Sequence, residues 1–405
     1  MNANPSNPGE RATPFGSRSA ALDGVRGLAI LAVLAYHTLR IDGDGGPQVY
    51  IWRFFQESTW MGVDLFFVLS GFLITCILID SKQGSGYFRN FYARRALRIM
   101  PLYYATLTVA LVVVPLAVGV SRLPMLYQRL TANQAWLWVY LQNWFQARGE
   151  HQLPGFGHFW TLAVEEQFYW FWPIVVYLAS RRNLFRLCLA VCLCLPLVRL
   201  LLLSTGASPW ALRELTLTRA DSLLWGALAA MVIRDPALLT KLKLPLKIAA
   251  GAAALILLAL TYPRGFLLYE APEIVTAGYS LFGLLFGVLV LLCAMGRSFP
   301  ANAVSNPVLR WFGKYSYALY IAHPIVYLAY HGVIASRLTL GRFPAAILCF
   351  TAVTAASAAF AWSSWHLLEG RFLRLKKYFE YRSESAAPDP HVSGSLTPEE
   401  VPASS

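Results

Sequence analysis

The sequence predicts an all-α polytopic membrane protein, a bundle of about ten transmembrane helices with both termini on the cytoplasmic side. Three observations predict it. Hydrophobic residues make up 57% of the chain and charged residues 14%, whereas a soluble domain carries about 25% charged residues; mean hydropathy is +0.49. Apolar runs of about 20 residues recur along the chain, the length a helix needs to cross about 30 Å of hydrocarbon. Basic residues collect in alternate loops, as they do on the cytoplasmic face of membrane proteins. This composition excludes a disordered chain, a coiled coil and most soluble enzymes.

The spans are expected at 22–39, 60–79, 101–120, 158–179, 185–204, 215–233, 246–262, 273–295, 315–334 and 344–367. The first follows Arg18 and Arg26 as a signal peptide would, but no small-x-small cleavage site follows its apolar run, so it reads as a true span. With the N-terminus inside, the inner segments hold Arg11, Arg18 and Arg26; Lys82, Arg89, Arg94, Arg95 and Arg98; Arg181, Arg182 and Arg186; Arg234, Lys241, Lys243 and Lys247; Arg297, Arg310 and Lys314; and Arg371, Arg374, Lys376, Lys377 and Arg382, most of the 34 basic residues. The net charge of +13 therefore belongs to membrane flanks, and no nucleic-acid partner is expected. The segment Trp136–Phe145 is aromatic and apolar but too short to cross; it reads as an interfacial or re-entrant piece on the outer face, anchored by Trp136, Trp138 and Trp144. The ends are polar. Residues 1–20 and 376–405 read as disordered cytoplasmic tails around a single membrane body, 21–375. The six cysteines, Cys76, Cys188, Cys192, Cys194, Cys293 and Cys349, lie in apolar runs and read as small buried hydrophobes. No metal site is expected.

Ionisable residues inside spans are costly and mark function or pairing. Arg26 and His37 are 11 positions apart on the first span, which places them about 20° apart around the axis and about 16 Å apart along it. One face thus carries a fixed cation and, further out, an imidazole, the usual general base near neutral pH; the plainer alternative is an arginine that reaches the headgroups and a histidine bonded to a neighbouring helix. Asp64, near the outer end of the second span, is placed to orient that imidazole or to sit on the outer rim. The run Phe88–Tyr104 carries Arg89, Arg94, Arg95 and Arg98 after Lys82, a density suited to a polyphosphorylated ligand. Glu165 and Glu166 begin the fourth span; neighbours on a helix point about 100° apart, so at most one is expected to face lipid and one the bundle interior, and the plain account, a carboxylate at a helix N-terminus, explains one of them but not both. Arg219 and Asp221 enter the sixth span and are candidates to pair. His323 and Pro324 lie mid-span, and Glu369 and Arg371 close the last one, whereas His151, His331, His366 and His391 carry no pattern. A transporter or flippase would also have buried charges, but it predicts a repeat with charges in corresponding places of two halves. No repeat is visible, and the charges crowd spans 1, 2 and 4.

Taken in order, LDGVRGLAILAVLAYH, GVDLFFVLSGFLIT, FYARRALRIMPLYY, HFWTLAVEEQFY, RADSLLWGALAA and YSYALYIAHP make the chain resemble the acyltransferase-3 family of bacterial integral-membrane O-acyltransferases, over Leu22 to about Arg371. The resemblance implies a ten-span bundle in the bacterial inner membrane. It implies transfer of an acyl group, most often acetyl, from cytoplasmic acyl-CoA to a hydroxyl of a sugar in an envelope glycan, glycolipid or glycosylated metabolite. Acyl-CoA would be a donor substrate, with no permanently bound cofactor. Carried over by position, Arg26 and His37 correspond to the family's essential pair, Glu165 to the carboxylate of its WxLxxExxFY motif, and Arg94, Arg95 and Arg98 to its basic run. The reading assigns catalysis to His37, Glu165 and Asp64, and donor binding to Arg26, Arg94, Arg95 and Arg98. The chain ends soon after the last span, which suits the stand-alone form without the C-terminal esterase-like domain of some relatives.

Overall fold

The structure, a computed structural model, describes residues 19–41, 45–149, 153–261, 268–296, 298–337 and 339–381. Arg11, Arg18, His151, Arg297, Arg382 and His391, and most of both expected tails, lie outside the described residues. Among those residues the chain is helical throughout, without strands. Ten long helices overlap the expected spans, although the third begins at Tyr87, well before the expected 101, and so takes the basic run into the helix: α1 (Ala20–Thr38), α2 (Gly62–Ser81), α3 (Tyr87–Thr108), α4 (Trp160–Leu178), α5 (Arg181–Ser204), α6 (Thr216–Ile233), α7 (Pro236–Thr261), α8 (Tyr279–Ala294), α9 (Pro307–Val333) and α10 (Arg342–Ser364).

Seven helical runs are long and apolar enough to cross a membrane; α4, α6 and α9 are not among them. Their composition gives the reason. The helix α4 carries Glu165, Glu166 and Gln167, and α6 carries Arg219 and Asp221. The helix α9 adds Arg310, Lys314 and His323 to a row of tyrosines. These polar groups are admissible because much of each helix faces protein. On α6 the buried set includes Arg219, Asp221 and Ser222 together with nearly every residue from Leu223 to Val232.

Backbone-to-backbone contact draws the central helices together. A side chain at Gly27 would meet the Leu309 carbonyl oxygen at 1.9 Å, and one at Gly313 would meet the Asp23 carbonyl oxygen at 1.8 Å. The same holds where α2 meets α6: Gly71 against Leu223 O at 1.8 Å and Gly226 against Val68 O at 1.9 Å. Lipid tails are as apolar as leucine, so helices in a bilayer associate through close packing, and small residues permit it. The pairs α1/α9 and α2/α6 thereby form a fixed centre. On the periphery, α5, α7 and α10 carry the broad exposed apolar faces expected of lipid contact, including Leu197, Leu201, Leu255 and Trp362.

The helix of α3 continues through a π-helical turn (Val109–Val113) to Val118, and among the described residues no helix between there and α4 is long enough to cross. That stretch forms short helices at Met125–Ala132, Ala135–Trp138 and Gln142–Ala147. Tyr140 turns between the last two with φ 55°, and its ring stacks on Tyr103 of α3. The expected C-terminal tail begins with order: Leu375–Tyr378 is a 3-10 turn. The Arg94 guanidinium donates to the carbonyls of Lys376 and Phe379, and Asn90 donates to that of Glu380. Five cysteines are buried, and Cys194 is exposed.

Candidate active site

Two cavities lie inside the bundle and share a wall. The first, about 180 Å³, is bounded by α1, α2, α3, α4 and α9. Arg26, Arg95 and Arg98 line it together with Glu165, Glu166, Ser70 and Tyr317. Arg95 stacks its guanidinium 3.9 Å from the centre of the Tyr169 ring, and Glu165 accepts a 2.6 Å hydrogen bond from the Ser70 hydroxyl. The second cavity, about 340 Å³, contains His37, His158, Arg213 and Glu214, with Tyr36, Trp60, Trp160, Trp210 and Tyr269 on its walls. Val63, Thr161 and Tyr320 line both cavities.

That shared wall is a hydrogen-bonded clip. Thr161 Oγ1 and the Tyr320 hydroxyl are 2.6 Å apart, and the two oxygens lie 3.1 and 3.0 Å from the His158 carbonyl oxygen. His158 Nε2 in turn donates to the Tyr320 carbonyl at 2.8 Å. The sequence supplies that acceptor. Pro324 has no N–H, so the helical bond that would satisfy the carbonyl four residues back, that of Tyr320, is missing. His158, at the entry of α4, takes its place.

His37 sits at the far end of α1 from Arg26. Its Nδ1 is 2.9 Å from the Val33 carbonyl oxygen. A carbonyl only accepts, so Nδ1 carries the proton, and in the neutral ring Nε2 keeps its lone pair. His323 packs its ring 5.0 Å from that of His37 and 5.1 Å from that of His158. The three imidazoles form a buried cluster, each with one nitrogen on a backbone carbonyl.

The structure brings together some of the residues expected from sequence and separates others. Arg26 and His37 share a face of α1, yet they open onto different cavities. Asp64 lines the histidine cavity but does not hold His37. Its Oδ1 receives Arg219 and the Ser222 hydroxyl at 3.1 Å, and the described hydrogen bond of His37 is the one to Val33. Glu165 belongs to the basic cavity, so it does not orient His37 either. Glu165 and Glu166 were expected to diverge, but both line the basic cavity together with Arg95. Arg94 departs from its neighbours. It lies about 100° around α3 from Arg95, does not line the cavity as Arg95 and Arg98 do, and holds the C-terminal segment instead. Lys82 donates to the Ala179 carbonyl.

Arg219 and Asp221 do not pair with each other. Residues two apart lie on opposite sides of a helix, and each reaches a different partner: Arg219 bonds Asp64 on α2, and Asp221 bonds Arg199 on α5 at 2.8 Å and the Ser280 hydroxyl on α8. Sequence reasoning left Arg213, Glu214, His158 and Tyr320 without roles. The short helix Pro209–Glu214 carries Arg213 and Glu214 outside any apolar run, and its only signal is a charged pair beside Trp210.

Apolar helices in number, with basic and histidine-bearing chambers on either side of a thin polar wall, define a multi-pass membrane protein with an internal polar site. The chain belongs to the acyltransferase-3 family, whose sequence model, described as an acyltransferase domain, matches residues 19–362. It is 30% identical over 327 residues to the peptidoglycan O-acetyltransferase OatA of Listeria monocytogenes, covering 76% of this chain and 49% of that protein. It is also 30% identical over 330 residues to the putative peptidoglycan O-acetyltransferase YrhL of Bacillus subtilis, covering 76% and 48%. A putative O-acetyltransferase of Staphylococcus aureus is 26% identical over 325 residues, covering 75% and 49%. The chain thus spans about half the length of these curated relatives. No solved structure matches it.

Proposed function

We propose that this protein is a membrane O-acyltransferase that moves an acyl group, in the first instance acetyl, from acyl-CoA to a hydroxyl of a carbohydrate or glycolipid acceptor. The observation that carries the reading is the pair of cavities meeting at Val63, Thr161 and Tyr320, with arginines in one and His37 in the other. Names given to relatives, peptidoglycan O-acetyltransferase among them, support acetyl transfer to an envelope glycan. In this reading all ten long helices cross the bacterial inner membrane and both termini are cytoplasmic, which sets the basic cavity on the cytoplasmic side, where acyl-CoA is available. Arg26, Arg95 and Arg98 attract the phosphates of the donor, and its thioester arm extends toward the shared wall. His37 Nε2 takes the proton of the acceptor hydroxyl as the hydroxyl oxygen attacks the thioester carbonyl. The C–S bond breaks, and the thiolate leaves on CoA. The Tyr320 hydroxyl stands at the meeting point and, by turning its single proton out of the clip, can donate to the developing oxyanion.

The test uses membranes from cells expressing the full chain, incubated with CoA carrying a labelled acetyl group. Label is expected to enter a glycan or lipid fraction in wild type, and to fall by at least a hundredfold in His37→Ala at matched protein level. Equal labelling in the two removes His37 as the base. A wild-type protein that is folded and moves no acyl group from any acyl-CoA tested overturns the reading.

A further inference from the structure

The histidine cavity holds a cation that the chemistry above does not use. The Arg213 side chain is 17% exposed and lies on the cavity wall. Three aromatic rings enclose its guanidinium, with centroids at 4.2 Å (Tyr269), 5.0 Å (Trp160) and 5.2 Å (Trp210). Ring faces hold a guanidinium by its π surface and leave the in-plane N–H donors unused. No hydrogen bond joins this guanidinium to another described residue. Glu214 forms an ion pair with it at 3.8 Å, too long for a hydrogen bond, and its own side chain is only 1% exposed. Arg219, the other buried arginine of this cavity, differs in that Asp64 takes it directly. Arg40 adds an exposed cation on the same wall. The cavity therefore offers a fork of donors held among aromatic rings and lining the same space as His37.

We infer that Arg213 and its cage of Trp160, Trp210 and Tyr269 form an anion-holding subsite, and that the acceptor carries a carboxylate or a phosphate beside the hydroxyl that reacts. This inference rests on the reading of the histidine cavity as the acceptor side. A guanidinium meets either oxyanion with two parallel N–H donors, which fixes the orientation of the acceptor as well as its charge. The flanking indole and phenol rings offer flat apolar faces to the ring of a sugar. Arg213 is a specificity-determining residue in this scheme and takes no proton.

The test uses the purified full chain in detergent micelles and three small probes: methyl β-D-glucuronide, glucose 6-phosphate and the neutral methyl β-D-glucoside, with binding read by calorimetry or saturation-transfer NMR. At least one anionic probe is expected to bind at least about tenfold more tightly than the glucoside, the scale of one charge-assisted hydrogen-bonded contact. The arm that binds identifies carboxylate or phosphate. Arg213→Gln should erase the preference, Arg213→Lys should keep part of it, and Trp210→Ala should weaken all probes alike while the preference for charge persists. Equal binding of the three probes by wild type, binding of none, or a preference that survives in Arg213→Gln overturns the inference. Thermal unfolding of each variant checks that the bundle is intact. Transfer of labelled acetyl in the same preparations is scored separately: its presence without any preference for anions defeats this inference alone, and its absence defeats the functional reading.

Discussion

His37 and Tyr320 are the residues on which the proposed chemistry turns, and they fail differently when changed. His37→Gln keeps a polar side chain but cannot accept and release a proton, so transfer is expected to fall by about 10²–10⁴-fold, with donor binding at the basic cavity unchanged in a direct binding measurement. Tyr320→Phe removes one donor near the meeting point and leaves the ring. A drop in turnover of about 10²-fold, with little change in donor affinity, would match loss of an oxyanion donor; unchanged turnover would assign the hydroxyl to packing alone. The sequence made His37 legible because its helical spacing from Arg26 can be computed from 3.6 residues per turn. It misdirected the reading of Asp64. Proximity along two spans says nothing of azimuth, and a carboxylate inside a bundle goes to the nearest permanent cation, here Arg219. Arg213 stayed invisible because its importance lies in three rings from separate parts of the chain.

Helices carry the next level of information. All ten apolar runs became helices, since period and length alone decide that. Which of them are internal was decided by partners that no local pattern reveals. The buried pair Asp64–Arg219 joins α2 to α6, and Arg199–Asp221 joins α5 to α6, so α6 is tied on two sides by ions. Arg219→Met should destabilise the bundle by about 3–5 kcal/mol because it leaves a carboxylate buried without its cation. The double variant Asp64→Asn/Arg219→Met should recover part of that loss, as read by thermal unfolding in detergent. Gly313→Leu should be worse than either, since the new side chain meets the Asp23 carbonyl and no rotamer avoids it. The effect of Pro324 is less obvious. Pro324→Ala restores an N–H that competes with His158 for the Tyr320 carbonyl. The expected result is a helix at least as stable but a His158 without its acceptor, seen as lowered transfer with no loss of unfolding temperature.

At the scale of the whole molecule, the proposed orientation makes a simple prediction: reporter tags at the N-terminus and after residue 381 should both be read from the cytoplasm, and one inserted near Ala147 from the other side. Opposite placement of the two ends would remove one crossing and invert the cavities. The wall between the cavities has a further consequence in a bilayer. In the proposed orientation the two cavities reach Val63, Thr161 and Tyr320 from opposite sides, so most of the membrane voltage would fall across a layer about one side chain thick, where each elementary charge moved represents about 2.3 kcal/mol per 100 mV. On that reading the clip would be an electrical insulator as well as the proposed meeting point. Thinning it with Thr161→Ala and Tyr320→Ala should let protons leak through vesicles that hold the protein, and an energised membrane would discharge through the route along which the acyl group is passed.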